Sequence, residues 1–181
     1  PMATANLYGN FYSTEMTNID DLSYYTRNSN FSGKLWANDY TSTTQEIWNI
    51  WEALYTGIKN ANGLLENIDK AEMSQIAKDR IKGEAKFLRA YYHFLLVQAF
   101  YEVPIRKQSL GDINAASMPA TSNAEALDWI IKEMEDCIPL VDKKEYDKSP
   151  SHVKETSVYG ILARVCLWRA GKPSDGGEAY Y

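Results

Sequence analysis

The feature that most constrains this chain is a helical spacing of apolar residues that runs through two long, neighbouring segments. The first segment extends from Thr44 to Asp69 and repeats apolar residues in steps of three and four, which places them on one helix face. These residues are Ile47, Trp48, Trp51, Leu54, Tyr55, Ile58, Ala61, Leu65 and Ile68. The second segment extends from about Met73 to Phe100 and carries two adjacent apolar stripes, which predicts a helix buried between layers.

The connections of this helix pair are also visible in the sequence. Only a short polar break, Asp69 to Glu72, separates the two segments, and a break of this length predicts an antiparallel helical hairpin. Gly57 and Gly63 lie inside the first segment, where glycine destabilises a helix, so we expect a neighbouring element to approach closely there. The second helix is expected to end before Val103-Pro104.

Two further helices are predicted in the second half of the chain. Ser122 and Glu125 form a capping-box pattern that opens a helix ending near Ile138. A fourth helix is expected from about Glu155 to Ala170, with Gly171 at its end. No convincing alternating strand pattern is present, so the predicted class is all-α, with antiparallel helix pairs of tetratricopeptide-like architecture joined by long loops.

Composition narrows the possible functions. The chain has 181 residues and a net charge of −5, which argues against binding to nucleic-acid phosphates. No segment has the length of a transmembrane helix, and the N-terminal residues do not have the pattern of a signal peptide. The two cysteines, Cys137 and Cys166, fall in helical patterns and suit small core residues.

Aromatic residues are abundant, with 13 Tyr, 5 Phe and 5 Trp. Trp48, Trp51, Trp129 and Trp168 lie in the apolar stripes of the helices, so we expect them in the core.

A second aromatic group, with polar neighbours, lies in the loop-like N-terminal part at Tyr24, Tyr25, Asn28 and Trp36. Aromatic faces beside amide groups suit a sugar, which presents flat C–H faces and a rim of hydroxyl groups. Packing of the loop onto the helices is the alternative; it is favoured for Trp36 and equally balanced for the two tyrosines.

No catalytic or metal-binding pattern emerges. His93 and His152 have no second ligand at zinc-binding spacing. Asp20 and Asp21 are adjacent rather than positioned across a sugar, as a glycosidase would require. The sequence therefore predicts no catalytic residue, no bound metal and no cofactor.

Several segments resemble one known family, in the correct order. The run Lys82–Phe94 reads KGEAKFLRAYYHF and resembles the GEAKFLRAYYYF stretch of the SusD/RagB family. Trp51–Asn62 is similar to the family pattern W-x-x-L-Y-x-x-I-x-x-A-N, and Leu96–Pro104 is similar to its Y-G-D-V-P helix exit. Val153–Lys154 and Ala163–Trp168 are similar to its V-T-K and A-R-V-Y-L segments.

The chain departs from the family pattern at a few positions. Tyr101 stands where the family usually has Gly, and Cys166 stands where Tyr is common. Glu133, Met134 and Cys137 replace the Asp, Leu and Ala of a D-L-x-x-A helix. Glu84 and Arg89 belong to the family motif, and we expect them to tie helices to loops rather than to act in catalysis. Family members are also much longer than this chain.

The resemblance implies the function. It predicts a non-catalytic, oligosaccharide-binding subunit of an outer-membrane uptake complex, partnered with a TonB-dependent transporter of SusC type. Residues 1–181 would be the N-terminal helical-repeat domain, without the lipid-anchoring cysteine and the C-terminal part. The expected location is the outer membrane, as a lipoprotein, and the expected glycan-binding residues are Tyr24, Tyr25, Asn28 and Trp36. A tetratricopeptide-like adaptor that binds a protein partner is the alternative, and a glycoside hydrolase is the least favoured interpretation.

Overall fold

The structure, a computed structural model, describes residues 41, 43–109, 118–141 and 152–171, and these form an all-α fold as predicted. The described helices are α1 (Gln45–Asn67), α2 (Gln75–Phe100), α3 (Asn123–Cys137) and α4 (Glu155–Ala170). A short 3-10 helix, Ile68–Lys70, follows α1. The chain divides into two compact units, residues 1–53 and 54–181, and the boundary falls inside α1.

The first residues of the helices show which local signals determine their bounds. Ser74 caps α2 by accepting a hydrogen bond from the Ala77 amide at 3.3 Å, so α2 begins at Gln75, two residues later than predicted. Ser122 caps α3 by accepting from the Glu125 amide at 3.4 Å, as the capping-box pattern predicts. The bounds of α4 agree with the predicted range of Glu155 to Ala170.

Contacts between α1 and α2 establish the antiparallel hairpin. A Cβ atom added at Gly57 would lie 2.6 Å from the Tyr92 ring, so the two helices approach closely at this glycine, as expected. Further along α1, Asn62 contacts Arg89, which precedes Tyr92 in α2. Residue numbers therefore rise along α1 while those of the partners fall along α2. The same expectation is wrong for Gly63, because an added Cβ would meet no atom within 4 Å there.

The remaining helices continue this alternation. Gly83 near the start of α2 faces Leu140 and Val141 just after α3, whereas His93 further along α2 contacts Trp129 early in α3. These contacts make α3 antiparallel to α2. Two contacts with rising residue numbers on both sides, Glu84 with His152 and Phe94 with Trp168, make α4 run in the same direction as α2.

The core is centred on the second half of α2. From Arg89 to Val97 every residue except Tyr92 is buried, because α1, α3 and α4 all contact this helix. This confirms the prediction of a helix buried between layers. The largest buried apolar side chains, each exposed by less than 2 %, are Phe94, Ile58, Leu96, Leu127, Ile130, Met134, Val97, Val103, Val141, Val158 and Val165.

The prediction that four tryptophans form the core is wrong for two of them. Trp48 is 54 % exposed and Trp168 is 42 % exposed, while Trp51 and Trp129 are partly buried. Because a helix advances about 100° per residue, Trp48 lies on the same side as Glu52, four residues on, and that side faces solvent. Trp168 shares the solvent-facing side of Arg164 for the same reason. It still contacts the Phe94 ring edge-on, with 6.3 Å between centroids.

Candidate functional site

The predicted glycan-binding residues Tyr24, Tyr25, Asn28 and Trp36 lie outside the described residues. Within the described part of the chain, the most concentrated polar chemistry is a buried cluster between α1, α2 and α3. Its members are Asn62, Arg89, His93 and Glu133, and each is less than 9 % exposed. Burial of a polar or charged group is costly unless it is hydrogen-bonded, so the contacts of this cluster show what it does.

An ion pair between α2 and α3 forms the centre of the cluster. The Arg89 Nε donates to Glu133 Oε1 at 3.1 Å, and its Nη2 contacts the same oxygen. The Arg89 Nη1 donates to the Asn62 side-chain oxygen at 2.8 Å and to the Lys107 carbonyl at 3.1 Å. All three guanidinium nitrogens are engaged, which compensates for the desolvation of the charge. The bond to Lys107 confirms that Arg89 ties its helix to a loop.

The cluster holds the segment Pro104–Ser109, which is neither helix nor strand and which we call the strap. The Tyr55 hydroxyl donates to the Pro104 carbonyl at 2.8 Å. The side-chain amide of Asn62 donates to the Arg106 carbonyl at 3.2 Å and to the Gln108 carbonyl at 3.0 Å. Side chains therefore satisfy backbone groups that would pair with another backbone in a helix or sheet.

The end of the strap is held by a carboxylate. Glu66 accepts from the Ser109 amide at 2.7 Å and also contacts the Ser109 hydroxyl. These hydrogen bonds lower the pKa of the Glu66 carboxyl from its ordinary value, because they favour the charged form. Glu66 lies one turn of α1 beyond Asn62, so both project toward the strap from the same side of the helix.

His93 connects α2 to the middle of the strap and is completely buried. Its Nδ1 lies 2.8 Å from the Arg89 carbonyl, and its Nε2 lies 3.1 Å from the Arg106 amide nitrogen. Because an amide can only donate and a carbonyl can only accept, the ring is neutral with its proton on Nδ1. Burial is the main cause that lowers the His93 pKa to about 4.

Aromatic rings pack around the same cluster. The Trp129 ring meets the His93 ring edge-on, with 5.0 Å between centroids. The Lys107 ammonium lies 5.6 Å from the Trp129 ring centre, and the Arg106 guanidinium lies 5.5 Å from that of Tyr55. Such contacts attract a cation to the face of an aromatic ring. Burial raises the pKa of the Tyr55 hydroxyl, which therefore stays protonated and able to donate.

A second tie lies at the start of α4. His152 Nδ1 lies 3.0 Å from Glu84 Oε1, so Glu84, the second of the two family-motif residues, also joins a helix to a loop. Among the residues that the structure describes, no group of three or more His, Cys, Asp or Glu side chains could hold a metal ion.

The cysteines have the character of unreactive thiols. Cys137 is buried, and its thiol lies 3.0 Å from the Met134 carbonyl. Burial raises the pKa of the Cys137 thiol to about 12, and that of Cys166 is also raised by burial. The expected core position is confirmed for Cys137, whereas Cys166 is only partly buried.

The arrangement supports a scaffolding role for this cluster. Arg89 neutralises Glu133, and both ring nitrogens of His93 are engaged, so these groups hold the strap. Sequence reasoning missed the strap and the roles of Tyr55, Asn62 and His93 in it. The available signal was weak: Asn62 and His93 are polar residues beside the apolar positions Ala61 and Phe94.

Comparisons with known proteins identify the family of this chain and solved structures that share its fold. The sequence profile of the SusD-like family, described as starch-binding and associating with the outer membrane, matches residues 2–167. The chain belongs to the SusD-like family. No curated protein sequence matches it. In the described ranges, no helix is both long enough and apolar enough to cross a membrane.

Solved SusD-like structures share the fold. A SusD-like carbohydrate-binding protein from Bacteroides fragilis is 25% identical with a TM-score of 0.72, and the match covers 82% of this chain and 29% of that protein. A SusD superfamily protein from Parabacteroides distasonis is 24% identical with a TM-score of 0.75, covering 86% and 33%. A laminarin-binding SusD-like protein is 24% identical with a TM-score of 0.63, covering 70% and 27%. The chain thus spans about a third or less of the length of these proteins.

The helix exit at Tyr101 shows why the resemblance places a glycine there. Tyr101 has φ 66° and ψ −64°, and the Glu102 amide donates to the Phe100 carbonyl at 2.8 Å. This is a γ-turn of the rare form with positive φ, which is strained for a residue with a Cβ atom. The side-chain amide of Asn123 donates to the Tyr101 carbonyl at 2.9 Å and holds the turn against the start of α3.

Proposed function

We propose that this chain is part of a non-catalytic glycan-binding subunit of an outer-membrane nutrient-uptake complex. The observation that carries the proposal is the family match over residues 2–167. The carbohydrate-binding and laminarin-binding names of its structural relatives support the substrate class. The buried cluster supports a non-catalytic role, because Glu133 and His93 are committed to structural contacts.

The glycan-binding residues are proposed to be Tyr24, Tyr25, Asn28 and Trp36. Aromatic side chains bury large areas and present flat faces, and the asparagine amide can both donate to and accept from sugar hydroxyls. Their closeness in sequence and their mixture of aromatic and amide groups support this assignment.

The proposed partner is a TonB-dependent, SusC-like transporter, and the proposed location is the outer membrane through a lipid anchor. We propose further that residues 1–181 are the N-terminal helical part of a longer SusD-like protein. The limited coverage of the three structural relatives described above, between 27% and 33% of their lengths, supports this. The exposed apolar side of α4, with Tyr159 and Leu167 exposed by 50% and 68%, also supports it.

Calorimetric titration with laminari- and malto-oligosaccharides tests the glycan proposal. Binding by the purified protein is expected to weaken at least tenfold, about 1.4 kcal/mol, in Trp36→Ala and in the double variant Tyr24→Ala/Tyr25→Ala. Trp48→Ala is the matched control, because Trp48 is exposed on α1 and is not a proposed ligand contact.

Three outcomes would count against the proposal. Equal binding by all variants would show that the substituted residues do not contact the glycan. Release of reducing sugar would contradict a non-catalytic role. A stable complex with a soluble protein, with no glycan bound, would favour the tetratricopeptide-like adaptor instead.

A further inference from the structure

The strap differs from the rest of the described fold because side chains of other elements hold its backbone. Tyr55, Asn62 and Glu66 bind it from α1, and Arg89 and His93 bind it from α2. Such a segment can separate from the helices without breaking any hydrogen bond within a helix. Its attachment therefore depends on these side chains, among which His93 and Glu66 are the groups that titrate below neutral pH.

Protonation of His93 would directly break its hydrogen bond to the strap. Its Nε2 accepts the Arg106 amide hydrogen through the only lone pair left in the ring plane, because Nδ1 already carries the proton given to the Arg89 carbonyl. A solvent proton added to Nε2 would occupy that lone pair. Two donors, Nε2–H and the Arg106 N–H, would then face each other across 3.1 Å.

The surroundings oppose the added charge. Tyr55 of α1 and Trp129 of α3 present rings to the imidazole edge-on. The nearby charged groups are the guanidinium ions of Arg89 on α2 and Arg106 on the strap, and both disfavour an imidazolium. Glu133 of α3 is the adjacent carboxylate, and it is already paired with Arg89.

We propose that the bond between His93 and the Arg106 amide is an acid-labile latch, whose protonation releases the middle of the strap while α1, α2 and α3 stay packed. The helices stay packed because their contacts are largely apolar. Glu66 also keeps its hold on Ser109 in mild acid, since its pKa lies below the ordinary value.

The direction of the pH dependence follows from the His93 pKa. The attached ring has a pKa of about 4, and a released ring has the ordinary value of 6.5. The released form therefore binds more protons between these values, and attachment weakens as pH falls from neutral toward 4. Between pH 7 and pH 5 the opening equilibrium is expected to rise about 20-fold.

Amide hydrogen exchange on the intact chain tests the latch. After correction for intrinsic exchange rates, protection of the Arg106 amide, measured by NMR, should fall about 20-fold from pH 7 to pH 5, relative to amides of α3. His93→Gln keeps an acceptor near the Nε2 position without titrating, so its strap should keep its protection at pH 5. His152→Gln is the matched control and should behave like the wild type.

Equal protection of the wild-type strap at both pH values would overturn the proposal, as would the same loss in His93→Gln. If His93→Gln does not fold, nitrogen NMR of the wild-type His93 ring gives the decision. Loss of the Arg106 amide bond on the same titration as Nε2, with native α3 signals, supports the latch. Loss of strap and α3 signals together contradicts it.

Discussion

The α2–α3 interface and the outer face of α4 contrast in how completely each is packed. At the interface, an ion pair is buried and fully hydrogen-bonded, and Gly83 lets the turn after α3 approach α2. The outer face consists of Tyr159, Gly160, Ala163 and Leu167, and all of these are exposed. Its glycine faces open space. The same residue type thus marks close packing in one region and an uncovered helix surface in the other.

The largest expected effect is at the interface. Arg89→Met leaves Glu133 buried without its partner, which we expect to lower the free energy of unfolding by about 3–5 kcal/mol. Urea denaturation followed by circular dichroism measures this as a lower midpoint with an unchanged slope.

The double variant Arg89→Met/Glu133→Leu should recover more than half of this loss, because no unpaired charge remains. Lys132→Ala removes an exposed ion pair with Asp136 on the same helix and should leave the midpoint unchanged. An equal loss in the double variant would mean that the charge itself is not the cause.

Close packing at Gly83 gives the next effect. An added Cβ would lie 2.8 Å from Val141 Cγ1 and 3.0 Å from the Val141 amide nitrogen, so backbone must move. Gly83→Ala is therefore expected to destabilise the protein by about 1–3 kcal/mol despite the better helix propensity of alanine. Thermal unfolding at fixed protein concentration measures this loss of stability. An increased melting temperature would contradict the close contact.

The outer face of α4 should respond in the opposite direction. Gly160→Ala meets no atom within 4 Å, so only helix propensity acts, and the variant should be more stable by up to about 1 kcal/mol. The same thermal measurement applies, with Gly63→Ala in α1 as a second open position. A loss of stability at Gly160 would show that this face is covered.

The smallest expected effect concerns Tyr101, beside the α2–α3 interface. Tyr101→Gly relieves the positive φ, but a glycine also gains freedom in the unfolded chain, so the net stabilisation should be about 0.5–1 kcal/mol. Urea denaturation measures this change. Tyr101→Ala keeps a Cβ atom and serves as the control, since it should not stabilise the protein.

Local signals made much of the fold predictable. The capping box at Ser122 and the apolar steps of α1 gave helices close to those observed, and the motif around Arg89 gave its tie to a loop. The start of α2 was misplaced because Ser74, the residue after Met73, caps the helix, which therefore begins at Gln75. Trp48 was wrongly predicted to be buried, because a residue at the edge of the buried stripe also fits steps of three and four residues.

The strap could not be predicted in the same way. Asn62 and His93 bind backbone groups of Arg106, and a backbone group has no sequence signature at its own position. Only the assembled helices bring these partners together. The glycan-binding assignment of Tyr24, Tyr25, Asn28 and Trp36 stays a prediction.

The hydrogen bonds of the strap also have a consequence for folding kinetics. Its contacts with α1 join residues 43 to 49 positions apart in the chain, and they require α1 and α2 to be paired first. We expect these contacts to form late in folding, because α1 and α2 have to pair before the strap can close onto them. Weakening Asn62 or Tyr55 should therefore accelerate unfolding and leave the refolding rate nearly unchanged.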